Sequence, residues 1–388
     1  VNSTLRLPRS PVWLVVPVLL TALVLGAWIV DRDSPMGLQY HIDTDVYREG
    51  AAALLAGQPI YDLEYHVFGI NLPFTYPPLA ALVFTPFALV PLPIAGLILS
   101  LVSLVCLWWT ATLVLSHLGA DRPRVLALWL LPLLGLLEPV RETVAFGQIN
   151  LVLLAMVATD ALYRSGQRLS TGVLAGIAAS LKLTPAVFVV YFLVRRQYRA
   201  AAVMVGSAVV STLLAAALTP RLSWQYFTDT LANTSRIGDP DYLTNQSVFG
   251  LLARVTGPAA ADRLWPVAVL ALLALALCAA WRVRTNALST LAVVSLIALL
   301  ASPVSWSHHW VWVVVLAAAC WQGSRWLGAA VFAAGVIAPH WLMGEQPWSW
   351  WEQLLGNAYV LGGVALLVLA VAAPGRWGAA SGAPERTR

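Results

Sequence analysis

Apolar runs of about 20 residues recur along this chain and constrain its fold more than any motif does. Residues 94–116, 200–218 and 263–281 are nearly free of charge. A helix needs roughly 20 such residues to cross the hydrocarbon of a bilayer, where each backbone polar group must find its partner inside the segment. Composition agrees. Of 388 residues 60% are apolar and only 11% are charged, against roughly 25% charged in soluble domains. The 18 tryptophans and 11 tyrosines suit two aromatic belts at the membrane interfaces. The expected fold class is therefore an all-α polytopic membrane protein, forming one transmembrane domain over residues 1–388.

Charge sets the expected orientation. Arg6 and Arg9 precede the first run, 11–30, and short connections carry Arg122 and Arg124, Arg164 and Arg168, Arg282 and Arg284, and Arg325. Excess Lys and Arg marks cytoplasmic loops, which puts both termini in the cytoplasm and the long polar segments outside. These segments are a first extracytoplasmic loop, 31–78, a second, 220–262, and the shorter stretches 138–147, 302–309 and 340–356. The tally is about 10 full crossings plus short re-entrant or interfacial helices. Pro86, Pro91 and Pro93 divide 79–116 into a short interfacial helix and one crossing. Residues 171–193 are basic on both flanks and interrupted by Lys182 and Pro185. They read as a broken or re-entrant pair, with a single ordinary crossing as the alternative. Within the first loop, 46–55 reads as a short amphipathic helix ended by Gly57-Gln-Pro59. The chain opens on Val1 rather than Met, so residues are expected to precede it, and no cleavable signal peptide is assigned.

Several function classes fall away. A net charge of +5 is too small to suggest nucleic acid. Cys106, Cys278 and Cys320 are scattered through apolar runs and read as packing. Neither GxxxxGK[ST] nor a strand–turn–helix GxGxxG is present, which argues against nucleotide-driven chemistry.

The unusual residues gather in the outer segments. Asp43 and Asp45 stand just beyond the first run, where a carboxylate of raised pKa serves as a general base; a solvated acidic loop is the competing reading. His308 and His309 lie between two apolar runs, where imidazole can hold a phosphate oxygen or orient a carboxylate. Lys182 either pairs with a phosphate or carboxylate or snorkels to the interface. Arg141, Glu142, Gln148 and Asn150 cluster at a span entrance, and Asn245 and Gln246 precede an amphipathic stretch. All of these either bond a sugar headgroup or cap helices. Together they suggest transfer at a membrane surface. A secondary transporter or lipid-linked sugar flippase is the alternative from another class, although it would keep its ionisable groups near the midplane.

Asp43-Thr-Asp-Val-Tyr47, Leu54-Leu-Ala-Gly-Gln-Pro-Ile-Tyr61, Leu72-Pro-Phe-Thr-Tyr-Pro-Pro-Leu-Ala80, Gly147-Gln-Ile-Asn150, the stretch 176–185, Asn245-Gln-Ser247 and Ser302-Pro-Val-Ser-Trp-Ser-His-His-Trp310 resemble the actinobacterial membrane mannosyltransferases of glycosyltransferase family 87. The resemblance spans 11–371 and implies the GT-C fold. It implies a polyprenyl-phosphate-mannose donor and a mannosylated phosphatidylinositol acceptor, joined by an inverting α-1,2 transfer outside the cytoplasmic membrane. Branching of lipomannan or lipoarabinomannan is the alternative within the family. The family's base would be Asp43, with Asp45 its rival. His308 and His309 would line the reaction centre, and Tyr47, Tyr76, Arg141, Gln148, Asn150, Lys182, Asn245 and Gln246 are candidates for donor-phosphate or substrate contact. No metal or other cofactor is expected.

Overall fold

In the computed structural model, residues 12–27, 41–163, 170–233, 236, 238–344 and 346–378 are described. The basic flanks Arg6, Arg9, Arg164, Arg168, Arg386 and Arg388, and residues 31–40 of the first outer loop, lie outside them.

Helix α1 (Val12–Ala27) is followed by α2 (Ile42–Leu55), which bears the first acidic motif. The latter stops at Ala56 and Gly57, whose φ of +69° only glycine adopts without strain. A two-stranded antiparallel hairpin, β1 (Glu64–Val67) and β2 (Ile70–Pro73), pairs Glu64 with Pro73. Two short helices, α3 (Pro78–Val83) and α4 (Thr85–Ala88), run into the long α5 (Leu92–His117), and prolines stand at the start of each. Then come α6 (Pro123–Leu134), α7 (Glu138–Phe146), α8 (Asn150–Leu162) and α9 (Val173–Leu181). After α9 the chain leaves helical geometry at Lys182, tightens into a 3₁₀ turn over Thr184–Phe188, and resumes as α10 (Val189–Val194). The interruption falls where Lys182 and Pro185 predict one.

The second half holds α11 (Tyr198–Leu218), the short α12 (Pro220–Gln225) and α13 (Val248–Thr256), and the long α14 (Pro258–Arg282). It continues with α15 (Ala287–Ala301), a 3₁₀ segment over Ser307–Trp312, and α16 (Val313–Gly323). Helices α17 (Arg325–Ile337), α18 (Trp350–Gly356) and α19 (Ala358–Ala372) end the fold. The core centres on α15, which is buried on nearly all sides.

The expected count of about ten full crossings is overturned. Among the described residues only α5, α11 and α14 are long and apolar enough to cross a membrane. The number rises to five if α6 with α7, bent by 84°, and α18 with α19, bent by 74°, each count as one span. The cause is length. Apolar runs read as crossings form helices of 11–15 residues in α8, α15, α16 and α17. At 1.5 Å per residue these reach only about 17–23 Å of the roughly 30 Å of hydrocarbon. Among the described residues this membrane protein is all-α apart from one small hairpin, with three to five long apolar helices. Residues 138–147, expected as a loop, form α7, and α14 starts at Pro258, inside the expected second loop.

Candidate active site

Asp43 lies in the first turn of α2, where the helix dipole favours a carboxylate. That helix is held against the end of α7 by the Thr44 hydroxyl, which donates to the Gly147 carbonyl at 3.0 Å. Gly147 closes α7 in the left-handed region, φ +66°, and the Gln148 N–H reaches back to the Thr143 carbonyl at 2.9 Å, a helix stop that glycine makes inexpensive. A Cβ at position 147 would collide with Thr44 Oγ1. This contact brings the Gln148 side chain beside the Asp43 carboxyl, close enough to pull its pKa down.

Behind Asp43 stands a buried aromatic pair. The Tyr47 and Tyr76 hydroxyls lie 2.7 Å apart, and each lies 2.9 Å from Gln148 Oε1. The Tyr47 ring stacks on Phe84 at 4.2 Å. Lys182 enters from the break between α9 and α10. Its ammonium donates to Asn150 Oδ1 at 3.1 Å and to His309 Nε2 at 3.2 Å, with a longer 3.5 Å contact to Tyr76. Because Lys182 donates to Nε2, His309 is neutral and carries its proton on Nδ1. Asn150 Nδ2 and the Thr143 hydroxyl both donate to the His308 carbonyl, at 3.0 Å each. They pin the backbone of the histidine pair to α7 and α8.

Burial sorts these groups. Tyr47, Tyr76, Gln148, Asn150 and His308 are buried, whereas Asp43, Lys182 and His309 keep partial exposure. Lys182, Asn150 and His309 line a cleft of about 440 Å³ whose other wall is apolar, with Phe188, Leu299 and Trp312. Burial lifts the Asp43 carboxyl to about 6, while the Gln148 hydrogen bond and the Lys182 charge pull against that rise. Burial and the adjacent ammonium push the His309 imidazole well below its ordinary value.

The other expected residues stand apart from this centre. Asp45 is paired with Arg48 at 3.0 Å. Arg141 donates to the Leu136 carbonyl at 3.3 Å. Asn245 and Gln246 are fully buried beneath the 302–309 segment. Asn245 Oδ1 accepts from the Ser305 N–H at 2.9 Å, and the Gln246 N–H donates to the Ser305 carbonyl at 2.8 Å. Their bonds shape the histidine segment from below.

Sequence reasoning missed four supports. Thr143 and Thr44 look like ordinary helix residues until the contacts of α7 are known. Buried Arg254 bonds Asn357 Oδ1, at 3.0 and 2.6 Å, and the carbonyls of Tyr242 and Asn245. Glu138 accepts from Trp341 and Tyr359 at 3.0 Å each, with His340 Nε2 at 3.7 Å. The available signal was a charged residue at the edge of an apolar run, which by itself also describes a helix cap.

With this geometry in place, the comparisons are decisive for the family. The profile of glycosyltransferase family 87 matches residues 74–303. The chain belongs to glycosyltransferase family 87. It is 39% identical to the polyprenol-phosphate-mannose-dependent α-(1-2)-phosphatidylinositol mannoside mannosyltransferase of Mycobacterium tuberculosis, over 94% of this chain and 92% of the relative. It is 40% identical to the like-named protein of Mycolicibacterium smegmatis, over 85% and 83%. Identity is 34% to a phosphatidylinositol pentamannoside mannosyltransferase of Mycobacterium tuberculosis, over 94% and 87%. No solved structure matches. Membership of a glycosyltransferase family favours group transfer over the transporter and flippase readings.

Proposed function

We propose that this protein transfers mannose from polyprenyl-phosphate mannose to the 2-hydroxyl of a mannose on a phosphatidylinositol mannoside, with inversion to an α-1,2 linkage. The observation that carries the reading is that a half-buried carboxylate, Asp43, and a half-buried ammonium, Lys182, lie within electrostatic reach of each other. One group suits the nucleophile and the other the leaving group. Identity is higher to the relatives named for the mannoside than to the one named for the pentamannoside, and the acceptor is chosen on that ground.

In the reaction, Asp43 takes the proton of the acceptor hydroxyl as its oxygen attacks C1 of the β-mannosyl phosphate from the opposite face. The C1–O bond to phosphate breaks, and its electron pair leaves on the polyprenyl phosphate. Lys182 offsets the charge arriving on that phosphate. Its two short bonds, to Asn150 and His309, fix the ammonium, and the long contact to Tyr76 leaves one N–H for a phosphate oxygen. The apolar wall of the cleft suits a polyprenyl chain. With an ammonium in this role, no metal is required. The site faces the extracytoplasmic side of the cytoplasmic membrane in this reading, with both termini inside.

The test is mass spectrometry of products from purified protein given polyprenyl-phosphate mannose and a panel of mannosylated phosphatidylinositols. One added hexose in α-1,2 linkage is expected, most rapidly on the acceptors with few mannoses, and undiminished by chelator. Asp43→Asn should abolish it. Turnover by Asp43→Asn near that of the parent protein, or loss to chelator that metal restores, would overturn the assignment.

A further inference from the structure

Gln148 is only 4% exposed, so it is poorly placed to hold a sugar or phosphate in the cleft. Its carbonyl and amide ends face different neighbours. Oε1 lies 2.9 Å from both the Tyr47 and the Tyr76 hydroxyl, and the side chain lies close enough to the Asp43 carboxyl to pull its pKa down. The two hydroxyls are themselves 2.7 Å apart. They own two protons between them for three short contacts, so Gln148 Oε1 accepts at least one in any arrangement that leaves neither proton idle. Lys182 approaches Tyr76 at 3.5 Å from the other side. A proton order running Tyr76 to Tyr47 to Gln148 satisfies both hydroxyl donors in that direction. With its oxygen turned to the tyrosines, the amide must present its N–H₂ to Asp43. The flipped amide would set oxygen against the carboxylate of the base.

We propose that Tyr47, Tyr76 and Gln148 form a positioning bridge that locks the Gln148 amide with its N–H toward Asp43, holding the base ionised and aimed at the acceptor hydroxyl. The bridge rests on the reading of Asp43 as the base. It gives α2, the 73–78 strand exit and the α7–α8 turn a common purpose, since each supplies one member. Backbone rigidity supports it. Gln148 is fixed by the glycine stop of α7, and Tyr47 is clamped by the stacked Phe84 ring and the edge-on Tyr76 ring. None of the three needs to touch substrate.

The consequence is specific in sign. An N–H donor to a carboxylate favours its ionised form, so losing the donor raises the pKa of the base. The acid limb of the pH profile of kcat/KM should then move to higher pH. Gln148→Leu should move it upward by about one unit. Gln148→Glu places a second carboxyl beside Asp43 and should move it further. Tyr47→Phe keeps the ring stack while removing one hydroxyl, so it should fold normally and give a smaller upward move. At about pH 5 kcat should fall about tenfold for Gln148→Leu, and only about twofold at neutral pH, with the KM of donor and acceptor within about threefold of the parent and activity recovering as pH rises. A merely structural role would change the amount of folded enzyme without moving the limb. An unmoved limb in both Gln148→Leu and Tyr47→Phe overturns the bridge, as does a KM effect with kcat intact. Asp43→Asn assayed alongside separates the two ideas: if it is inactive while the limb stays fixed, the bridge fails and the base assignment stands.

Discussion

At the scale of the residue, Asp43 is costly to keep. Its carboxyl is lifted to about 6 chiefly by burial, so the folded protein binds a proton there that the unfolded chain, at an ordinary carboxylate value, releases. Between about pH 4 and 6 the native state therefore holds more protons, and stability falls as pH rises through that window. The same residue must be ionised to act as base. Turnover should consequently drop as pH falls through about 6, tenfold per unit below it, measured as initial rates over a pH series. Activity and stability thus run in opposite directions across this window. Asp43→Asn should be inactive yet melt higher than the parent at pH 7.5, by an increment on the order of 1 kcal/mol once partial exposure is allowed for. A lower melting temperature for this variant would mean that the carboxylate earns stabilising contacts beyond Gln148 and Lys182. The candidate residues were legible because their chemistry is unusual in an apolar chain. Their division into reactive and supporting groups was not, because Gln148 and Lys182 look equally polar in a sequence and differ only in which side chains cover them.

Among the elements, the decisive ones are short. The turn joining α7 to α8 carries both Gln148 and Asn150, and thus reaches Asp43 on one side and Lys182 with the His308 carbonyl on the other. The 302–309 segment is braced from below by the Asn245–Gln246 pair, and that pair is tied in turn to α19 through Arg254 and Asn357. Arg254 is a buried cation whose partners are an amide oxygen and backbone carbonyls. Removing it strands those acceptors. Arg254→Met should cost about 3 kcal/mol of stability, read as a lower melting temperature in detergent. Asn357→Ala should cost less, and the double variant should fall short of the sum because the two share one network. Full additivity would show that they act separately. Sequence periodicity found α2 and α13 through their amphipathic spacing, and the prolines of 86–93 through φ and the missing N–H. It missed α7, because a nine-residue helix opening on Glu138-Pro139 and containing Arg141 and Glu142 has the composition of a loop.

Across the whole molecule, the membrane is read from which apolar surfaces remain uncovered. The sequence announces membrane residence through sheer apolar content, but content cannot tell a span from a buried core helix, since both are free of charge. That ambiguity produced the count of ten. Helix α15 is as apolar as any span, yet protein covers it nearly all round, and among the described residues three single helices combine span length with span composition. Helix α11 is the opposite case. It buries few of its residues, and Val209, Val210, Leu213 and Leu214 stand more than half exposed or at half. In water such a face would be an aggregation surface; in a bilayer it has a solvent. The two settings predict different costs for the same change. Val209 lies near the middle of α11 and is 50% exposed. An exposed position in a water-soluble helix tolerates Asp within about 0.5 kcal/mol. At the centre of a membrane span the same residue costs about 2.5–3.5 kcal/mol on the insertion scale, and aspartate is too short to reach the interface. Val209→Asp should therefore sharply reduce the fraction of protein recovered folded in membranes, while Val209→Leu leaves it unchanged. Wild-type recovery of Val209→Asp would place this face of α11 against water and remove it from the spans.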